Sequence, residues 1–89
     1  MLTVLYHKKF LKDLANIPSR QRKEIEHFVF KILPKSNSIA ELNKFEKLTG
    51  YKNYFKARFG NYRLGIYSED NLVELKRLLH RKEIYRYFP

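Results

Sequence analysis

The run Tyr54-Phe55-Lys56-Ala57-Arg58-Phe59-Gly60-Asn61-Tyr62-Arg63-Leu64-Gly65-Ile66-Tyr67-Ser68 decides the fold. Phe55, Ala57 and Phe59 alternate with Lys56 and Arg58, the two-residue period of a half-buried strand. Gly60-Asn61 then suits a tight hairpin turn, because both residue types tolerate positive φ. After the turn, Leu64 and Ile66 continue an apolar face, while Arg63, Gly65 and Tyr67 occupy the other. With the apolar face packed inward, Lys56, Arg58, Arg63 and Tyr67 share the open one. The hairpin sets the basic residues of one strand beside Arg63 of the next. Cations that close repel one another unless an anion joins them, and the planar guanidinium fork matches a phosphate. Gly65 either lets a backbone or a base come close or marks a bulge.

Outward from the hairpin, Glu69-Asp70-Asn71 reads as a second turn. Leu72 to Leu79 reads as a third strand, apolar at Leu72, Val73, Leu75, Leu78 and Leu79. Upstream the period changes. Leu2 to Tyr6 is a short β-prone run. Phe10, Leu11, Leu14 and Ala15 then recur at helical spacing within His7–Asn16, and Ile17-Pro18-Ser19 interrupts them. Ile25, Phe28, Val29, Ile32 and Leu33 form the apolar stripe of a second amphipathic helix over Arg20–Leu33, stopped by Pro34. Ile39 to Leu48 reads as a short helix or an ordered loop that ends at Gly50, and Arg81 to Tyr87 as a last helical turn. The expected architecture is one α+β domain over residues 1–89. A twisted, mostly antiparallel four-stranded sheet packs on an N-terminal helical hairpin, with a short C-terminal helical turn.

Nineteen Lys and Arg against nine Asp and Glu leave +10 on 89 residues. Such a field draws polyanions, and an aromatic content of 16% adds stacking surface. An acidic protein partner suits the same charge. The absence of cysteine excludes disulfides and thiolate metal sites. His7, His27 and His80 lack metal-ligand spacing, so neither a metal nor another cofactor is expected. The apolar start is too short for a signal sequence and no run is long enough for a membrane span, which implies a cytoplasmic protein. Gly-rich phosphate loops, paired carboxylates and a Ser-His-Asp arrangement are all missing from the pattern. Chemistry, if any, falls to Arg, Lys, Tyr and His. The closing cluster His80, Arg81 and Lys82 with Tyr85 and Tyr87 places stacking rings next to charge.

Two of these stretches carry a resemblance. Lys56-Ala57-Arg58-Phe59-Gly60-Asn61-Tyr62-Arg63-Leu64-Gly65-Ile66-Tyr67 resembles the strand pair of the RelE/ParE toxin superfamily, and His80-Arg81-Lys82-Glu83-Ile84-Tyr85 resembles its closing motif. The element order is similar too, so the resemblance covers nearly the whole chain. It implies a type II toxin, held inactive by a cognate antitoxin in a hetero-oligomer, that cuts mRNA in the ribosomal A site. By that resemblance Arg63 and Arg81 contact the scissile phosphate and Tyr85 lies near the attacking 2′-hydroxyl. Lys56 and Arg58 line the same groove, and His80 falls where a basic residue or His is common. Lys82 and Tyr87 join the RNA-binding set. Gly65 departs from the pattern, in which a larger aliphatic residue is common. In such chemistry Arg donors stabilise the charge that develops on phosphorus. Tyrosine, with an ordinary pKa of about 10, needs nearby cations to serve as a base, and His80 is the second candidate for proton transfer. The rival readings are a ParE-like toxin that inhibits DNA gyrase by binding it, and a non-catalytic binding module.

Overall fold

The computed structural model describes residues 1–89. The chain runs β1 (Thr3–Tyr6), α1 (Lys8–Ala15), α2 (Ser19–His27), β2 (Phe45–Lys47), β3 (Tyr54–Phe59), β4 (Tyr62–Glu69), β5 (Leu72–His80) and α3 (Ile84–Tyr87). The fold is mixed α+β on a single sheet in the order β1-β5-β4-β3-β2. Five strands stand where four were expected. The additional one is β2, which pairs antiparallel with β3 at the sheet edge. Its three residues are too few to display a two-residue period, and the short helix entertained for Ile39–Leu48 is reduced to one 3-10 turn at Ala40–Leu42. β1 pairs with β5 in parallel, the one parallel pairing in the sheet.

Each turn reflects its residues. Gly60 takes the left-handed φ of 60° that the two-residue β3–β4 hairpin needs, and Asp70 takes 53° at the β4–β5 turn. Pro18 sits at the threshold of α2, where its missing N–H leaves no bond unmade. The second helical segment was expected to run to Leu33. It leaves α geometry earlier, in a π turn over Phe28–Ile32 and a 3-10 turn over Leu33–Lys35. A π turn holds more residues than an α turn and so rotates the residues after it. Ile32, expected on the buried stripe, is 38% exposed, while Phe28, Val29 and Leu33 are buried. On α1 the inward stripe is likewise narrower than expected: Phe10 and Leu14 are buried, and Leu11 is exposed.

The main core lies between the helices and one sheet face. Phe10, Leu14, Ile25, Val29 and Leu33 meet Ala57, Phe59, Leu64, Ile66, Val73, Leu75 and Leu78. Each large side chain so buried contributes roughly 1.5–3 kcal/mol. The Tyr6 hydroxyl donates to the Val29 carbonyl at 2.6 Å and ties β1 to the π turn. Burial pushes the Tyr6 pKa above its ordinary value.

Leu75 and Leu78 both face this core although they are three positions apart, which unbroken alternation forbids. A bulge resolves the conflict. Leu75 opposes Ile66 and Arg77 opposes Gly65, so Lys76 is an extra residue on β5. Past Leu75, β1 no longer covers the β5 edge, and α1 packs there instead. Asp13 of α1 accepts the Leu78 N–H at 3.0 Å and grips Arg77 through bonds of 2.8 and 3.1 Å to Nε and Nη2. This bidentate bond raises the Arg77 pKa further.

A second, smaller apolar cluster on the opposite sheet face fixes α3. Ile84 and Phe88 pack with Leu48, Tyr54 and Leu79. The Phe88 ring rests on Gly65, where an added Cβ would lie 2.7 Å from Cδ2. Gly65 therefore serves a close approach beside the bulge, and the approaching group is the chain's own C-terminal ring.

Candidate active site

Alternation along β3 and β4 builds the open face. The register pairs Tyr54 with Tyr67, Lys56 with Gly65 and Arg58 with Arg63. Two arginines directly opposite each other repel. Arg63 turns aside: its Nη1 donates to the carbonyls of Gly60 at 2.8 Å and Tyr62 at 3.0 Å, which leaves its Nε and Nη2 donors free. The β3–β4 turn also anchors the end of β5, because Asn61 accepts the Arg81 backbone N–H at 2.7 Å. Arg81 is thereby placed beside the arginine pair. Ile84 on α3 and Phe88 just beyond it are buried, and Tyr85 stands out over β3.

Lys56, Arg58, Arg63, Arg81, Lys82 and Tyr85 line a shallow depression of about 350 Å³. Five of its six lining side chains are cations. Arg58, Arg63, Arg81 and Lys82 form no ion pair within the chain. The Lys56 ammonium donates to the Tyr85 hydroxyl oxygen and lies 4.9 Å from the ring centroid. Since it meets the oxygen, the contact is a hydrogen bond at the ring's polar tip rather than a cation seated on its face. A cluster of unpaired guanidinium and ammonium groups beside an oriented phenol can hold a phosphodiester and exchange a proton with it.

Two residues expected in this site lie elsewhere. His80 pairs with Tyr62, one step out of phase with Leu79 and Arg63, so it belongs to the other pleat. Its ring meets Tyr62 at 5.9 Å between centroids, and its Nδ1 accepts the Lys82 N–H at 3.2 Å. Tyr87 leaves α3 on the side away from Tyr85. It lines a different cleft with His7, Lys8, Lys9, Lys76 and Arg77, with the Arg77 guanidinium 5.7 Å from its ring centroid. Tyr67 is on the open face but beyond the depression, and its hydroxyl donates to Glu69 at 3.0 Å. That bond is the main cause of its raised pKa. Glu46 had not been singled out. It lies opposite Lys56 on β2, 3.9 Å from the ammonium. No three His, Asp or Glu side chains converge as a metal centre would require.

Comparison with known proteins identifies the family and the fold. The sequence model of the family described as "ParE toxin of type II toxin-antitoxin system, parDE" matches residues 4–85. Toxin RelE3 of Methanocaldococcus jannaschii is 42% identical over 89 residues, which span 99% of this chain and 100% of that protein. Among solved structures, the RelB-RelE antitoxin-toxin complex from Methanococcus jannaschii aligns with a TM-score of 0.79 at 41% identity, covering 96% of this chain and 99% of the other. The RelBE2 toxin-antitoxin complex from Mycobacterium tuberculosis aligns at 0.70 with 28% identity, covering 90% and 98%. A five-stranded sheet that carries a basic, tyrosine-edged depression is thus a toxin fold. The chain belongs to the ParE toxin family of type II toxin–antitoxin systems, within the RelE/ParE superfamily.

Proposed function

We propose that this toxin is a metal-independent endoribonuclease that cleaves mRNA in the ribosomal A site. The observation that carries the reading is the convergence of Arg63, Arg81 and Tyr85, with Lys56 on the tyrosine oxygen, in one depression. A surface that only bound a partner would have no need of an oriented phenol among unpaired arginines. In the reaction the RNA 2′-oxygen attacks the adjacent phosphorus and the 5′-oxygen leaves. A 2′,3′-cyclic phosphate and a free 5′-hydroxyl result. Arg63 and Arg81 stabilise the extra charge of the phosphorane through donors already in place. Tyr85 exchanges a proton with a reacting oxygen, and Lys56 holds its hydroxyl in line. Arg58 and Lys82 bind flanking phosphates. His80, on the other pleat, takes no part in the step.

The cognate partner is an antitoxin. Relatives of this chain were solved as RelB-RelE and RelBE2 complexes, and a +10 chain suits an acidic or amphipathic segment laid across the basic depression. Action on ribosomes places the toxin in the cytoplasm.

Primer extension on mRNA in a translating extract, with and without the protein, tests the reading. Expected are new 5′ ends within codons, and a cyclic phosphate at the 3′ end of the upstream fragment. The ParE description of the matching family keeps a gyrase-binding toxin as the rival. Intact mRNA together with inhibited gyrase supercoiling would establish that rival instead.

A further inference from the structure

Among the residues that line the depression, Lys56 alone has a carboxylate in ion-pair range. Its side chain is 17% exposed and lies in a neighbourhood crowded with Arg58, Arg63 and Arg81. Left to repulsion alone, a flexible ammonium would swing away from those cations. The register prevents it. Glu46 and Lys56 are direct cross-strand partners, and the carboxylate stands 3.9 Å from Nζ. The same nitrogen reaches the Tyr85 hydroxyl. Glu46, Lys56 and Tyr85 also line one side of the adjoining cleft, together with Leu48 and Phe88.

From this chain of contacts we infer that Glu46 is a positioning residue. It holds the Lys56 ammonium against the Tyr85 hydroxyl and acts on the reaction only through Lys56. The inference rests on the ribonuclease reading and deepens it. β2 gains a purpose: a three-residue edge strand with little burial of its own delivers one carboxylate to the rim of the site.

Two simpler roles make opposite forecasts. An exposed ion pair kept only for stability contributes little, and its loss would leave catalysis unchanged. A negative charge near an RNA site hinders binding, so its removal should tighten RNA and, at subsaturating substrate, speed cleavage. A positioning residue gives a different signature, in which kcat falls while KM stays level or drops.

The test is steady-state cleavage of mRNA on programmed ribosomes by the wild-type chain, Glu46→Gln and Glu46→Asp. Glu26→Gln on α2 serves as the control for net charge. Glu46→Gln is expected to lose on the order of tenfold in kcat, as small misplacements of a catalytic group do. Its KM should be unchanged or lower and its melting temperature unaltered, and Glu46→Asp should recover part of the loss. Nitrogen relaxation of the Lys56 ammonium, read without RNA, should show a more mobile group in Glu46→Gln. Wild-type kcat in Glu46→Gln, or an ammonium equally ordered in both proteins, would overturn the inference and leave the ribonuclease reading standing. A wild-type chain that cleaves no mRNA would remove both.

Discussion

Tyr85 tests the proposed chemistry at a single atom. Tyr85→Phe keeps the ring and deletes the oxygen that Lys56 contacts. If the hydroxyl transfers a proton, Phe should be nearly as inactive as Ala, with a loss of about 10²–10⁴ in single-turnover rate. If the ring only stacks on a base, Phe should cleave like the wild type. Gly65 tests the packing that holds Tyr85 in place. Gly65→Ala drives a methyl group into the Phe88 ring and should cost about 1–3 kcal/mol by overpacking. The same substitution in a Phe88→Leu background should cost less, and that coupling is measurable by denaturant melts of the four proteins. At this scale the hairpin residues were legible in the sequence. Lys56, Arg58 and Arg63 are neighbours by alternation across a two-residue turn, so local rules place them. His80 and Tyr87 were not legible. One shift of phase at the end of β5 moves a side chain to the other face, and two residues of helix turn a side chain about 200° away. Motif proximity does not register either rotation.

Among the elements, the clamp between α1 and β5 carries the most checkable energy. The Asp13 carboxylate satisfies both Arg77 and the Leu78 N–H on an edge that β1 leaves bare. Asp13→Ala orphans a largely desolvated guanidinium together with a backbone donor. It should destabilise the fold by about 3 kcal/mol in urea melts, at the lower end for a mostly buried pair. Tyr6 makes stability fall at alkaline pH. Its pKa is raised in the folded chain above the unfolded value of 10.0, so folding favours the protonated phenol. That contribution is complete below pH 10 and disappears as pH climbs through the folded pKa. Tyr6→Phe should therefore be less stable at neutral pH, for want of the bond to Val29. The gap between it and the wild type should narrow above pH 10 in melts recorded against pH. The helices and the long strands were readable from period alone. β2 was too short to show one. The Lys76 bulge was written in the spacing of Leu75 and Leu78, yet only the pairing with Ile66 and Gly65 shows where the extra residue sits. The π turn escaped because apolar periodicity presumes one fixed number of residues per turn, and Ile32 was assigned inward on that assumption.

Across the whole molecule, the sheet separates two tasks. One face buries the main core against α1, α2 and the π turn, and that core holds the β3–β4 hairpin rigid. The other face carries α3 on the small cluster around Ile84 and Phe88 and leaves the basic depression beside it open. Charge and motif pointed to a polyanion and to the toxin family, while the convergence of residues 25 or more positions apart, such as Lys56 with Arg81 and Tyr85, needed the fold. The central claim is that this convergence cuts RNA. Single-turnover cleavage of mRNA on programmed ribosomes by Arg63→Ala and Arg81→Ala, with melting temperatures recorded alongside, tests it most directly. Each variant should lose about 10²–10³ in rate, the usual cost of removing one transition-state donor, and melt like the wild type because neither side chain packs in a core. Wild-type rates in both variants would contradict the account.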